Sequence, residues 1–203
     1  LPGNLFPPSN LASFRKRPVA DTILPDIHRI LIPRDRIARR VAELAGEIAG
    51  HYQHQKAGLT LVPILSGSLI FLADLIRQLP MKMKIGLITV SSYRQPATKG
   101  QTPEILKDLT LDVQGQNVLI VDDILDTGNT LRLVNRELKR RCPNSVKTCV
   151  LLRKPAKAPP DLIPDFVGFD IEDAFVVGYG LDYGDHYRNC PDIGILKPDL
   201  YST

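Results

Sequence analysis

The sequence predicts an α/β domain, a central parallel sheet flanked by helices, with a small β-rich cap and a mobile loop. Three observations lead there. Leu59–Leu65 and Asn117–Val121 are short, continuously apolar runs, the pattern of strands buried on both faces. Helical patterns lie between such runs, so the connections read as right-handed βαβ crossovers. The length of 203 residues suits one such domain, since a domain takes about 100–200 residues.

In chain order, residues 1–25 are rich in Pro, Asn and Ser and read as a flexible arm, with the folded domain spanning 26–203. The Arg15-Lys16-Arg17 run in that arm is read as a solvated charge cluster. After Pro33, the residues Ile37, Val41, Leu44, Ile48 and Tyr52 recur at intervals of four and three, which predicts an amphipathic helix. Leu59–Leu65 follows as a strand ending in the turn Ser66-Gly67-Ser68. Leu69–Leu79 is then a helix apolar nearly all round, stopped by Pro80. Lys84–Val90 reads as the second strand. Between Ser91 and Gln116 the chain is polar and longer than an idle connector, since loops beyond about 12–15 residues usually serve as lids or are disordered. Asn117–Val121 is the third strand, Thr130–Arg141 a helix and Val146–Leu152 the fourth strand. Three short runs, Asp165–Phe169, Ala174–Val177 and Ile193–Leu196, are assigned to the β-rich cap.

Composition excludes several function classes. The 26 Lys and Arg against 22 Asp and Glu leave a net charge of +4, spread along the chain among acids, and Trp is absent. A strong nucleic-acid binder would carry a clustered basic stripe, so no nucleic-acid partner is expected. No apolar run approaches the roughly 18 residues of a membrane span, and the first residues lack the apolar stretch of a signal peptide. Cys142, Cys149 and Cys190 are odd in number and scattered, which argues against both a disulfide framework and a zinc cage. A cytoplasmic protein with reduced thiols is expected. His51 and His54 lie about one helical turn apart but have no acidic or Cys partner nearby in sequence, and they read as helix-end histidines.

The chemistry concentrates in VLIVDDILDTGNTL, residues 118–131, where a buried strand turns into a helix. Ligands of open parallel sheets bind outside the carboxyl ends of strands, and a helix N-terminus favours a phosphate there. Gly128 allows close backbone approach, and Thr127 and Thr130 add hydroxyl donors around Asn129. The Lys-Ser/Thr pair of a Walker A loop is missing, as is a GxGxxG turn. Asp122 and Asp123 would repel a ligand phosphate unless they served something else. A ribose diol or a divalent cation fits, with one carboxylate on the sugar and the other facing a metal or bracing a neighbour, because successive strand side chains point to opposite faces.

VLIVDDILDTGNT resembles the 5-phosphoribosyl diphosphate (PRPP) signature of the type I phosphoribosyltransferases. The segments VLLRKP, DFVGFDIEDAFVVGYGLDYGDHYRN, LSGSLIFLADL and VSSYR are similar to the hypoxanthine-guanine branch, so the likeness covers most of the chain from about Asp26 onward. The resemblance implies the type I phosphoribosyltransferase fold, with its hood as the cap and a mobile catalytic loop starting at Ser92-Tyr93. It assigns Lys154 to the exocyclic oxygen of a 6-oxopurine, which accepts only, as an ammonium donates only. Phe175 would stack on the purine and the Val176 backbone would meet its ring edge. Asp182, beside the purine, would bind magnesium on the diphosphate, with Asp122 and Asp123 as further metal candidates, and Arg188 would reach the diphosphate itself. Ser66-Gly67 stands where relatives present backbone N–H groups to diphosphate, many with Lys in place of Ser66. An Arg that often follows the purine-reading Lys is also missing, leaving only Lys157 to substitute.

The implied reaction is displacement of diphosphate from C1 of PRPP by a purine nitrogen, with Asp126 managing the N7 proton and Mg²⁺ as cofactor. A closing lid would keep water from the cation-like ribosyl group. A xanthine-preferring transferase, or a PRPP-sensing nucleic-acid-binding regulator on the same fold, stand as alternatives. A homodimer or homotetramer is implied by the resemblance, with no membrane partner.

Overall fold

The computed structural model describes residues 23–91 and 103–201. Continuous apolar runs become central strands because both faces are covered. β2 (Leu59–Leu65) and β6 (Asn117–Leu125) lie side by side and parallel, and the residues of β6 alternate between two cores. Leu119 and Val121 face one side together with Ile37, Leu44 and Ile48 of α1 (Arg34–Tyr52) and Phe71 and Leu75 of α2 (Leu69–Gln78). Val118 and Ile120 face the other, packed with Leu131, Val134 and Leu138 of α3 (Asn129–Lys139). Every apolar position that predicted α1 is buried.

The main sheet continues through β7 (Ser145–Arg153) and β8 (Phe166–Asp170), both parallel to their neighbours. On the other flank β3 (Met83–Ile85) and β4 (Ile88–Val90) pair in parallel with successive halves of β2, and β5 (Ile105–Lys107) closes the edge antiparallel to β4. The order is β5-β4-β2-β6-β7-β8, with β3 beside β2. A separate three-stranded antiparallel hood joins β1 (Ile27–Ile32), β10 (Ile193–Leu196) and β9 (Val176–Val177) in the order β1-β10-β9.

Five features differ from the sequence expectation, the first being that Ile105–Lys107, inside the stretch read as a lid, forms edge strand β5 on β4. The run Lys84–Val90 is broken at Gly86, whose N–H donates to Leu61 O at 2.9 Å, and a side chain there would strike Leu109. β6 does not end before the acidic pair but runs through it to Leu125, because Asp122, Ile124 and Leu125 stay in register with β7. The Asp165–Phe169 run belongs to the main sheet as β8 and not to the hood, since β7 offers it a full parallel edge. β1 was not expected at all. Its pairing partner β10 lies at the opposite end of the chain, so no local pattern announces it.

Long-range polar contacts seat the hood on the main unit. Asp192 accepts the Arg34 backbone N–H at 2.7 Å and grips its guanidinium at 3.1 and 2.8 Å, capping α1, whose N-cap residue Pro33 makes no side-chain cap. The Tyr179 hydroxyl donates to Asp74 of α2 at 2.6 Å, and within the hood itself Tyr187 donates to Asp26 at 2.8 Å. Of the expected arm, residues 1–22 lie outside the described residues. Among the described residues no helix is long and apolar enough to cross a membrane. The three cysteines are free thiols, and burial pushes the Cys149 thiol well above its ordinary pKa.

Candidate active site

A cleft of about 650 Å³ opens at the carboxyl ends of β2, β6 and β7 and runs up to the hood. Its floor is the β6–α3 turn. Asp126, Thr127, Gly128, Asn129 and Thr130 all line it, as the strand-to-helix reading requires. Gly128 has φ +75° and caps α3 with its backbone alone, while a Cβ there would sit 2.5 Å from Leu162. The left-handed φ therefore favours glycine at this position. No side chain caps this helix end, so its first N–H groups and the positive end of its dipole are directed to whatever anion the turn receives.

Asp122 and Asp123 line the same cleft and are 6% and 7% exposed. Their carboxylates accept local backbone N–H groups, Asp122 from Asp123 at 3.1 Å and Asp123 from Ile124 at 3.0 Å. The Asp123 carboxylate also fills the space beside Gly67, where a Cβ would overlap it. It thus braces the Ser66-Gly67 turn at the end of β2, and both turn residues line the cleft. Ser68, buried behind them, donates its hydroxyl to Ile64 O at 2.6 Å. Gly180 of the hood loop, at φ +102°, lies so close to the Gly67 carbonyl that a Cβ would strike it.

Above this turn the hood loop contributes Asp182 and Arg188. The Arg188 guanidinium lies 3.0 Å from Asp182 and 3.1 Å from Asp185 and donates to Gly180 O at 2.8 Å. The two predicted diphosphate-end residues are therefore one ion-paired unit on the cleft wall.

At the opposite end, Lys154 follows β7 and is buried, its Nζ 3.0 Å from Asp126 Oδ2 and 3.3 Å from Asp173 Oδ1. Lys157 lies 2.9 Å from the same Asp173 oxygen and 4.0 Å from Asp126 Oδ1. The hydrogen bond from Lys157 holds the Asp173 carboxyl below the ordinary carboxylate range, with Lys154 adding to the effect. Asp126 Oδ1 is buried and, among the described residues, has no hydrogen-bond partner, with Lys157 Nζ 4.0 Å away. Phe175 and Val176 line the same end, with Val176 fixed in β9 opposite Ile195. The Phe175 ring is stacked on Tyr201 at 4.9 Å between centroids and meets Tyr183 edge-on at 5.5 Å.

All the site residues expected from the sequence meet in this one cleft except Ser92 and Tyr93, which lie outside the described residues. Sequence reasoning missed Asp173, Tyr201 and Leu181, which also line it. Asp173 stands two residues before Phe175 and was hidden among the many surface acids; only the fold turns it toward Lys154.

Comparison with known proteins agrees with this geometry. The phosphoribosyl transferase domain family matches residues 32–184. The chain is 40% identical over 178 residues to the hypoxanthine-guanine phosphoribosyltransferase of Bacillus subtilis, covering 88% of this chain and 98% of that protein. It is 42% identical over 165 residues to the hypoxanthine phosphoribosyltransferase of Salmonella typhimurium, covering 81% and 93% respectively. A crystal structure of a hypoxanthine phosphoribosyltransferase from Staphylococcus aureus superposes with a TM-score of 0.82 at 38% identity, covering 89% of this chain and 97% of the other. With its strand-to-helix turn, parallel sheet and hood, the chain belongs to the phosphoribosyltransferase family, in the type I fold and among its hypoxanthine and hypoxanthine-guanine members.

Proposed function

We propose that this chain transfers the 5-phosphoribosyl group of PRPP to hypoxanthine and guanine, giving the purine 5′-monophosphate and diphosphate in purine salvage. The observation that carries the reading is that the β6–α3 turn and Lys154, Phe175 and Val176 line a single cleft. One end has the backbone and hydroxyl donors for a ribose 5-phosphate, and the other has the cation and aromatic ring for a 6-oxopurine.

In this reading residues 126–130 hold the 5-phosphate, and Asp122 and Asp123 face the ribose. Ser66, Gly67 and Arg188 meet the diphosphate; Ser66 brings no cation, so the turn offers backbone N–H groups only. Lys154 donates to the exocyclic oxygen, Phe175 stacks on the base and the Val176 backbone reads its edge. The Asp126 carboxylate receives the N7 proton as the base attacks C1, a role worth about 10²–10⁴ in rate. Ser92 and Tyr93 begin the lid that excludes water.

Magnesium belongs to this reading. Asp182, Asp122 and Asp123 bring only carboxylate oxygens to the cleft, a donor set that suits this hard ion. Among the described residues no group of three or more His, Cys, Asp or Glu could hold a metal, which is compatible with an ion that takes most of its ligands from diphosphate and water. When bound, it supplies neutralisation of the charge on the departing diphosphate. We assign the enzyme to the cytoplasm, supported by its free thiols, and to a homodimer or homotetramer, supported by the family resemblance and checked by sedimentation. Incubation with Mg²⁺, PRPP and hypoxanthine, guanine or xanthine should yield the corresponding nucleotide. No product with any of the three would refute the reading.

A further inference from the structure

The base end of the cleft holds four charges in alternation. Lys154 Nζ touches Asp126 and Asp173, and Lys157 Nζ touches Asp173 and approaches Asp126. The two acids come from different elements, Asp126 from the turn after β6 and Asp173 from the segment before β9. An ammonium has three N–H donors, and here two are taken. A Lys stem has several rotatable bonds and by itself fixes its head poorly, yet this one is 7% exposed and tied at two points. Lys157, at 45% exposed, is free to reach from solvent and balance Asp173, so the cluster carries no net charge.

We infer that Asp173, held by Lys157, is a positioning residue that pins the Lys154 ammonium against Asp126, so that its third N–H is aimed at the exocyclic oxygen of the base. The inference rests on the proposed role of Lys154 and extends it to residues with no assigned function. Asp173 sits two residues before Phe175, the ring on which the base stacks. Its position therefore couples the in-plane reading of the purine to the stacking surface. Lys157 is the one nearby cation that could substitute for the missing Arg, and its pairing with Asp173 gives it a structural task in the base site.

Initial rates of the full chain with Mg²⁺, varying hypoxanthine and PRPP separately, test this with Asp173→Asn, Lys157→Met, Lys154→Met and the Asp173→Asn/Lys154→Met pair. Asp173→Asn should raise the hypoxanthine KM about tenfold, the effect of losing one charge-assisted contact, while the PRPP KM stays within twofold. Lys157→Met, at an exposed site with little risk to folding, should raise it about threefold, and Lys157→Arg should restore it. With Lys154→Met already present, Asp173→Asn should add less than twofold. Where turnover is too slow to read, the Kd of the nucleotide product replaces KM. A hypoxanthine KM unchanged in Asp173→Asn, or the same tenfold rise without Lys154, overturns the positioning role alone. Unchanged KM and unchanged 6-oxo over 6-amino preference in Lys154→Met overturn both that role and the reading beneath it.

Discussion

Replacing Gly67 by Ala tests whether the acidic pair and the β2 turn form one packed unit. A Cβ on Gly67 would overlap an Asp123 oxygen and lie 2.6 Å from its Cγ. Carbon atoms settle at about 3.5–4.0 Å, so the carboxylate must retreat by about 1 Å. It has little room, being 7% exposed, and its other oxygen holds the Ile124 N–H at 3.0 Å. A shift of that size takes the bond beyond hydrogen-bonding distance. Losing a bond to a charged group costs about 1.5–3 kcal/mol, and for a chain of this size each kcal/mol lowers Tm by about 2–4 °C. Gly67→Ala should therefore melt roughly 3–12 °C below the parent, with a raised PRPP KM. Urea denaturation of a double-mutant cycle with Asp123→Ala isolates the cause. Once the carboxylate is gone the methyl group has space, and Gly67→Ala should then cost less than about 0.5 kcal/mol. An equal cost in both backgrounds would refute the packing argument, as would a parent-like Tm in the single variant.

Two further outcomes follow from the same geometry. Asp126→Asn should lower kcat by about 10²-fold or more with the PRPP KM within a few-fold, and parent-like turnover would remove Asp126 from proton transfer. Asp192 is held below the ordinary carboxylate range first by its hydrogen bond to Arg34, so its contribution is present above the unfolded pKa of about 3.9 and fades as pH falls through the lower folded value. Arg34 is 64% exposed, so solvent screens the side-chain pair and its contribution is small. Denaturation at pH 7 should show the parent more stable than Asp192→Asn, and the difference should shrink as pH falls below about 3.9. A constant gap would mean that the carboxylate's charge plays no part.

Local chemistry was legible wherever it is written in consecutive residues. The period of Ile37, Val41, Leu44, Ile48 and Tyr52 announced α1 and its buried face. The stretch from Val118 to Leu131 announced the strand, the turn and the helix, because apolar residues, acids and a left-handed glycine must follow in that order. Long-range pairing was not legible. β1 alternates poorly, with Arg29 and Ile30 exposed, and gains strand geometry only from β10. β8 and the hood strands are all short, and nothing in their composition says which sheet will take them. The ring of Lys154, Asp126, Asp173 and Lys157 was half visible: the first two stood in motifs, whereas Asp173 acquires meaning only when the hood folds over the turn.

The pairing of β1 with β10 also bears on how the molecule is made. Ile27 and Leu196 are register partners, so the hood closes a loop spanning nearly the whole domain, and contacts of such sequence separation are slow to form. During synthesis β2, β6 and α3 emerge well before β10, so the β6–α3 turn can be built while the hood is still missing. The two halves of the cleft thus have different histories, the β6–α3 turn arising with the main sheet and the Phe175–Val176 wall only with the hood.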